Sequence, residues 1–182
     1  AENLQVMIEE LDRANAIITE FLSLAKNRMI RLEPCNFNRV VACLYPLINA
    51  SALSEDKTVV LDLADVPPVL ADENEVKQLI LNLTRNAREA VGINGLICVS
   101  TAVEGDRVVL AVRDDGRGIP EEVRDKLGTP FVTTKEKGTG LGLAICYRIA
   151  ERHGAKIEVA TGPEGTTFSV LFPGPSAATA PQ

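Results

Sequence analysis

The spacing of apolar residues separates a long amino-terminal helix from the rest of the chain. Residues 2–30 carry apolar side chains at alternating intervals of four and three, with charged residues between them. The positions in this seam are Leu4, Ile8, Leu11, Asn15, Ile18, Leu22 and Ala25, of which Asn15 is a polar break. This spacing favours a coiled-coil or helical-bundle seam over the alternative, a helix packed on its own domain. Because Pro34 ends the helix, we treat residues 1–31 as an appendage.

Residues 32–173 alternate between helical and strand patterns, which predicts one α+β domain. Helical spacing and capping residues predict helices over residues 37–54, 72–91 and 141–152. Stretches rich in β-branched residues predict strands over residues 58–63, 96–103, 107–113, 156–161 and 166–172. Asp72 is the predicted N-cap of the middle helix, with Glu75 completing a capping box. Helices and a mostly antiparallel sheet in one domain give a two-layer α/β sandwich.

Two segments show little periodicity. Residues 115–140 are rich in glycine and charge and are expected to form a long loop, and such loops inside compact domains are usually functional. Residues 174–182 have too little apolar content to pack, so we expect a disordered tail there.

Charge and apolar content exclude several classes of protein. Acidic residues outnumber basic ones by 25 to 19, which gives a net charge of −6, whereas nucleic-acid binding needs clustered Lys and Arg. No apolar run approaches the roughly 18 residues of a membrane span, and no secretory signal opens the chain. We therefore expect a cytoplasmic domain that does not bind nucleic acid, with any membrane anchor located elsewhere in a parent protein.

The cysteines and the single histidine disfavour metal and triad chemistry. None of the four cysteines, Cys35, Cys43, Cys98 and Cys146, forms a C-x-x-C pair, and their apolar neighbours indicate buried free thiols. With His153 as the only histidine, a His-rich metal site is excluded. His153 ends a predicted helix just before a glycine, which favours a structural role.

Three polar segments carry chemistry that a core does not need. Asn82 and Asn86 share a helix face, where amide oxygens can complete the shell of a hard cation, although a pair of surface asparagines is the simpler alternative. Residues 114–120 follow a strand and pair two acids with glycines; a carboxylate there can accept a hydrogen bond from an exocyclic amine. The glycines of residues 138–142 open a helix, whose amide N–H groups can meet phosphate oxygens.

The order of these segments resembles the ATP-binding catalytic domain of sensor histidine kinases, in the GHKL ATPase superfamily. Residues 82–90 resemble the N box of that family, 114–120 and 138–143 its two G boxes, and 128–135 its F box. The long helix is similar to the second helix of the dimerisation domain, in the sporulation-kinase and nitrogen-regulation type. The resemblance implies a Bergerat-type fold, with helices on one face of a mixed sheet, that binds ATP and Mg²⁺.

The resemblance also implies a role for each matching residue. Asn86 would ligate Mg²⁺, Asp114 would read the adenine amine, and Asn82, Asn86 and Lys135 would serve catalysis. The other implied nucleotide contacts are Gly116, Gly118, Ile119, Thr134, Lys137, Gly138, Thr139, Gly140, Leu141 and Gly142. Glu89 departs from the family pattern, since many relatives carry a phosphate-binding lysine there, and Arg85 or Arg88 is the candidate replacement.

Asn82 bears on the type of reaction. Gyrase-type, chaperone-type and mismatch-repair relatives carry a water-activating glutamate at the matching position, whereas a neutral amide is no general base at pH 7. The resemblance therefore implies γ-phosphoryl transfer to a histidine rather than hydrolysis. The family's acceptor lies in a His-Glu or His-Asp motif that this sequence lacks. We therefore expect a fragment that partners with an acceptor domain, a response regulator and, in the intact protein, a second copy.

Two other functions stay open at this point. A GHKL serine kinase such as an anti-sigma factor, or a bare nucleotide-binding switch, would share the motifs, but the seam of residues 2–30 disfavours it. A non-enzymatic dimer module would explain the seam but leaves the glycine clusters unexplained.

Overall fold

The computed structural model describes residues 7, 11, 14, 15, 18, 22, 29–133, 135 and 138–174. Its strands are β1 (Glu33–Cys35), β2 (Thr58–Leu63), β3 (Val69–Ala71), β4 (Leu96–Glu104), β5 (Arg107–Asp114), β6 (Lys156–Gly162) and β7 (Gly165–Pro173). Its helices beyond residue 29 are α1 (Phe37–Leu53), α2 (Glu73–Ala90), α3 (Glu121–Arg124) and α4 (Gly142–Arg152). All the helices and strands predicted between residues 37 and 172 are present.

A mixed five-stranded sheet forms one layer, in the order β2-β4-β5-β7-β6. The β2–β4 pair is parallel and the other pairs are antiparallel, as predicted. The chain between β2 and β4 contains α2, because parallel neighbours need a long crossover connection. β1 and β3 pair separately as a two-stranded antiparallel sheet, which the sequence analysis did not predict.

The three longer helices α1, α2 and α4 form the second layer. α2 packs between α1 and α4 and lies against β4 and β5. Its buried apolar residues follow helical spacing, at Val76, Leu79, Ile80, Leu83 and Ala87. Alternate residues of β7 are buried, among them Phe168, Val170 and Phe172, as expected for a strand with one face on the core. This two-layer α/β arrangement confirms the predicted fold class.

The start of α2 is fixed by a contact that sequence spacing could not reveal. Asp72 is the N-cap, as predicted, and its side chain accepts hydrogen bonds from Asn74 N and Glu75 N. The predicted hydrogen bond from the Asp72 amide to the Glu75 side chain is wrong, because Glu75 pairs with Arg152 instead. That amide donates to His153 Nε2 at 3.0 Å.

His153 is a buried structural residue at the end of α4. Its Nδ1 lies 2.7 Å from Ile149 O, and its ring meets the edge of Phe172 with centroids 5.8 Å apart. A neutral imidazole with the proton on Nδ1 satisfies both ring nitrogens, since it donates to Ile149 and accepts from Asp72. The predicted structural role of His153 therefore agrees with its contacts.

Three other expectations need adjustment. Cys35 and Cys146 are buried free thiols, but Cys98 is only half-buried and Cys43 is exposed, so the predicted burial is wrong for Cys43. The loop at 115–140 contains the single-turn helix α3, whose first turn is acidic and so suits a helix N-terminus. Gly174, assigned to the tail, is buried and donates to Asp106 O at 2.8 Å.

The seam of residues 2–30 falls mostly outside the described residues. Of its positions, Leu11, Asn15, Ile18 and Leu22 are described, and all four are helical and exposed. No helix in the described part of the chain is long and apolar enough to cross a membrane.

We predict that His153→Ala destabilises the domain by about 2 kcal/mol, because the Asp72 amide loses its acceptor and the ring leaves the core. Urea denaturation would measure this loss as a lower transition midpoint. Glu151→Ala, an exposed change on the same helical turn, is the matched control. An unchanged midpoint for His153→Ala would contradict the structural role.

Candidate functional site

A cavity of about 470 Å³ opens between α2, the end of β5, the 115–140 segment and the start of α4. Its volume falls in the range of small-molecule sites, which is about 300–1,000 Å³. The sequence-predicted residues that line it are Asn86, Asp114, Gly118, Ile119, Lys135, Gly138, Thr139, Gly140 and Gly142. The fold thus brings the three polar segments to one cleft.

Some of the predicted residues do not line this cleft. Gly116 is buried, and an added Cβ there would be 2.7 Å from Ala90 O. Leu141 is fully buried. Asn82 is buried and lines a second cavity of about 240 Å³ instead. Thr134 and Lys137 lie outside the described residues.

The cleft also has walls that the sequence analysis missed. Arg117 and Lys126 add cationic side chains from the 115–140 segment, where composition alone gave no reason to choose them. Thr166 and Phe168 come from β7, and only the pairing of Asp114 with Thr166 brings that strand to the cleft. No local sequence signal marks these two positions, because the pairing is set by the register of the whole sheet.

Asp114 forms the buried end of the cleft. It is the last residue of β5 and is only 3% exposed. Its Oδ1 accepts a hydrogen bond from Gly116 N at 2.9 Å. Burial raises the pKa of the Asp114 carboxyl above its usual value, and hydrogen bonds from the Gly116 and Thr166 amides partly oppose this shift. The result is a desolvated acceptor at the edge of the core.

The turn after Asp114 is held against the β6–β7 hairpin. Ile119 N donates to Thr161 Oγ1 at 2.8 Å, and this hydroxyl lies 2.9 Å from Thr166 Oγ1. Gly118 has a φ of +72°, and a Cβ there would lie 2.1 Å from Gly162 O. Glycine is therefore required at position 118 by both conformation and close approach.

The opposite end of the cleft suits an anion. α4 begins at Gly142, and its N-cap residue Leu141 makes no side-chain hydrogen bond to the first turn. The first-turn N–H groups and the helix dipole therefore give this end a partial positive charge. A Cβ on Gly142 would lie 2.9 Å from a guanidinium nitrogen of Arg85. Glycine at position 142 thus lets the Arg85 cation approach the helix terminus.

Between the two ends, Asn86 lies beside a cation. The Lys135 ammonium pairs with the Glu89 carboxylate, and Lys135 Nζ is 3.5 Å from Asn86 Oδ1. This position therefore accommodates a positive charge against an amide oxygen, which fits a hard cation. Within the described residues, no group of three or more His, Cys, Asp or Glu side chains could hold a metal ion. A divalent ion here would need further oxygens from a ligand.

Part of the cleft lining is apolar. Ile119, Val123, Leu127, Leu143 and Phe168 supply aliphatic and aromatic surface. Together with the acidic end and the anion-binding end, these walls match a flat, amine-bearing ring joined to a phosphate chain.

A two-layer sandwich with such a cleft defines a nucleotide-binding class of protein. The model of the family described as "Histidine kinase-, DNA gyrase B-, and HSP90-like ATPase" matches residues 71–176, and the chain belongs to this family. This match confirms the resemblance inferred from the motifs.

The chain is similar to several sensor kinases. It is 39% identical over 171 residues to sporulation kinase E of Bacillus subtilis, covering 92% of this chain and 23% of that kinase. It is 36% identical over 171 residues to sensor histidine kinase ZraS of Escherichia coli, covering 93% of this chain and 37% of ZraS. The chain thus spans less than two fifths of the length of either relative.

A solved structure agrees with these relatives. The histidine kinase ThkA in complex with the response regulator protein TrrA is similar with a TM-score of 0.80 and 30% identity, over 95% of this chain and 51% of that one. The predicted likeness to the sporulation-kinase type is confirmed.

The raised pKa of Asp114 predicts a pH-dependent contribution to stability. A carboxyl whose pKa is higher in the folded state contributes most when it is protonated, at a pH below its unfolded value of about 3.9. That contribution falls as the pH rises through the folded pKa. The unfolding free energy of Asp114→Asn should therefore rise relative to that of the parent as the pH increases.

Urea denaturation between about pH 3.5 and pH 7.5 would measure this difference in unfolding free energy. Asp115→Asn is the matched control, because it removes the neighbouring carboxyl, which is exposed. A constant difference between parent and Asp114→Asn across this range would contradict the assignment.

Proposed function

We propose that this domain binds ATP with Mg²⁺ and is the catalytic domain of a sensor histidine kinase. The observation that carries the proposal is the polarity of the cleft, with the buried Asp114 carboxylate at one end and the start of α4 at the other. Family membership and likeness to sensor kinases support the same function. The proposal includes further domains in the parent protein, because the relatives are longer than this chain.

The acidic end would select the base. An ionised Asp114 can accept a hydrogen bond from the exocyclic amine of adenine, while the apolar walls around Ile119 contact the ring. A purine that carries a carbonyl at that place would set an acceptor against the carboxylate and leave it unpaired. The cleft should therefore prefer ATP to GTP.

The other end would hold the phosphates. The first turn of α4, the glycines of residues 138–142 and the Arg85 guanidinium supply N–H donors and positive charge. We assign Asn86 as the protein ligand of Mg²⁺, and a bound Mg²⁺ would neutralise charge on the phosphates. Lys135, with Thr134 and Lys137 in the same segment, would complete the phosphate contacts.

The position of Asn82 supports transfer rather than hydrolysis. Its side chain is neutral and buried beside α4, and it does not line the cleft. No group at that position can take a proton from water. The γ-phosphoryl group is then available to a nucleophile supplied from outside the domain, by in-line transfer.

The acceptor would be a histidine on another domain of the parent kinase. The exposed positions Leu11, Ile18 and Leu22 on the amino-terminal helix suit pairing in a helical bundle, and so we assign the intact protein as a homodimer. A response regulator is the proposed final acceptor. The complex of the similar kinase ThkA with TrrA supports this assignment.

We predict that ATP binds with Mg²⁺ dependence, and that Asp114→Asn weakens binding by tenfold or more, about 1.4 kcal/mol. Asn86→Ala should weaken it to a similar degree. Isothermal titration calorimetry with a non-hydrolysable analogue is the measurement, and GTP analogues should bind more weakly than ATP analogues. Asp115→Asn is the control, because the Asp115 side chain accepts from Leu96 N outside the cleft. Parent-like binding by both cleft variants would refute the site.

A second prediction concerns the product. When the domain is mixed with ATP, Mg²⁺ and a separately produced acceptor-histidine domain from the same parent, the acceptor should gain phosphate that is labile to acid and stable to base. Radiolabelled transfer followed by acid and base treatment measures this. Acid-stable phosphate would point to a serine kinase, and release of free phosphate without transfer would point to an ATPase.

A further inference from the structure

The ion pair between Lys135 and Glu89 lines the cleft. Glu89 is on α2, one helical turn beyond Asn86, so both side chains leave the same face. Lys135 comes from the segment that closes the other side of the cleft. Its ammonium contacts the Glu89 carboxylate and lies 3.5 Å from Asn86 Oδ1. One cation thus bridges the two oxygens of α2.

The backbone of Lys135 also takes part in a local turn. Lys135 N donates to Thr133 Oγ1 at 3.1 Å, and Gly138 N donates to Lys135 O at 3.1 Å. The Glu89 contact therefore fixes the side chain of the residue whose backbone N–H and C=O make both hydrogen bonds of this turn. Loss of the contact would release both the ammonium and the turn.

We propose that Glu89 is a positioning residue that holds Lys135 beside Asn86, at the proposed divalent-cation position. This inference rests on the proposed function, because it takes Asn86 as the cation ligand. Two cations repel each other at this distance, so Mg²⁺ with nucleotide can reach Asn86 only when Lys135 leaves it. The ammonium released from Glu89 then becomes available to the phosphates.

The size of the effect follows from exposure. The Lys135 and Glu89 side chains are 31% and 38% exposed, and pairs this accessible contribute at most about 1 kcal/mol. The expected changes are therefore about three- to fivefold in binding. These changes in affinity can be measured because they differ between ATP with Mg²⁺ and ATP alone.

Glu89→Gln should widen the difference in affinity between ATP with Mg²⁺ and ATP alone. Without the carboxylate, Lys135 is no longer held beside Asn86, so ATP with Mg²⁺ binds about three- to fivefold more tightly. Binding of ATP alone does not require Lys135 to leave Asn86 and should change less, so the ratio of the dissociation constant without Mg²⁺ to that with Mg²⁺ rises. In a Lys135→Met background the same substitution should leave this ratio almost unchanged, because Glu89 acts through Lys135.

The first readout is calorimetry of ATP analogue with Mg²⁺ or with a chelator, for the parent, both single variants and the double variant. Glu122→Gln, which removes an exposed acid of α3 that does not line the cleft, is the control for net charge. A ratio that falls equally with and without Lys135 would overturn the proposal and make Glu89 a metal ligand in its own right. An unchanged ratio would also overturn it.

The second readout needs no nucleotide. Hydrogen exchange at the Lys135 and Gly138 amides should become about three- to fivefold faster in Glu89→Gln. The charge-swapped pair Glu89→Lys with Lys135→Glu should restore the parent rate. Unaltered exchange in Glu89→Gln would overturn the proposal even if ATP binds. Faster exchange in a domain that binds no ATP would refute the proposed function but leave the Glu89–Lys135 contact established.

Discussion

A carboxylate buried at the end of a central strand is the constraint on which the site depends. Asp114 is costly to desolvate, and the fold offsets this cost by backbone amides from the next turn and from β7. The Thr166 amide is present only because β5 pairs with β7 in a register that places Asp114 opposite Thr166, whereas the Gly116 amide belongs to the adjacent turn. This end of the cleft therefore depends on the sheet as well as on the turn that follows β5.

Helix α2 connects this sheet to the other functional groups. One of its faces packs on β4 and β5, and the next face along borders the cleft through Asn86 and Glu89. The opposite wall begins at Gly142, where a missing side chain admits the Arg85 guanidinium. Because the wall residues of α2 share one rigid element, the amide oxygen and the carboxylate keep a fixed spacing. Lys135 contacts both of these groups from the other wall of the cleft.

Local sequence patterns predicted the longer helices and strands and the polar motifs, whereas contacts between distant parts of the chain could not be predicted. Periodicity found the three long helices because their apolar stripes are long. The strands β1 and β3 have three residues each, too few to show a period. The contact between His153 and the Asp72 amide joins distant parts of the chain, so a capping-box pattern misassigned the partner. The Glu89–Lys135 pair is hidden for the same reason, since neither residue is informative alone.

The two asparagines of α2 are four positions apart, and one has a buried environment while the other lines the cleft. With 3.6 residues per turn, positions four apart differ by about 40° around the axis. That rotation is enough to bury Asn82 beside α4 while Asn86 lines the cleft. The buried neutral amide at position 82 cannot take a proton from water. In the proposed transfer, the nucleophile would therefore come from outside the domain.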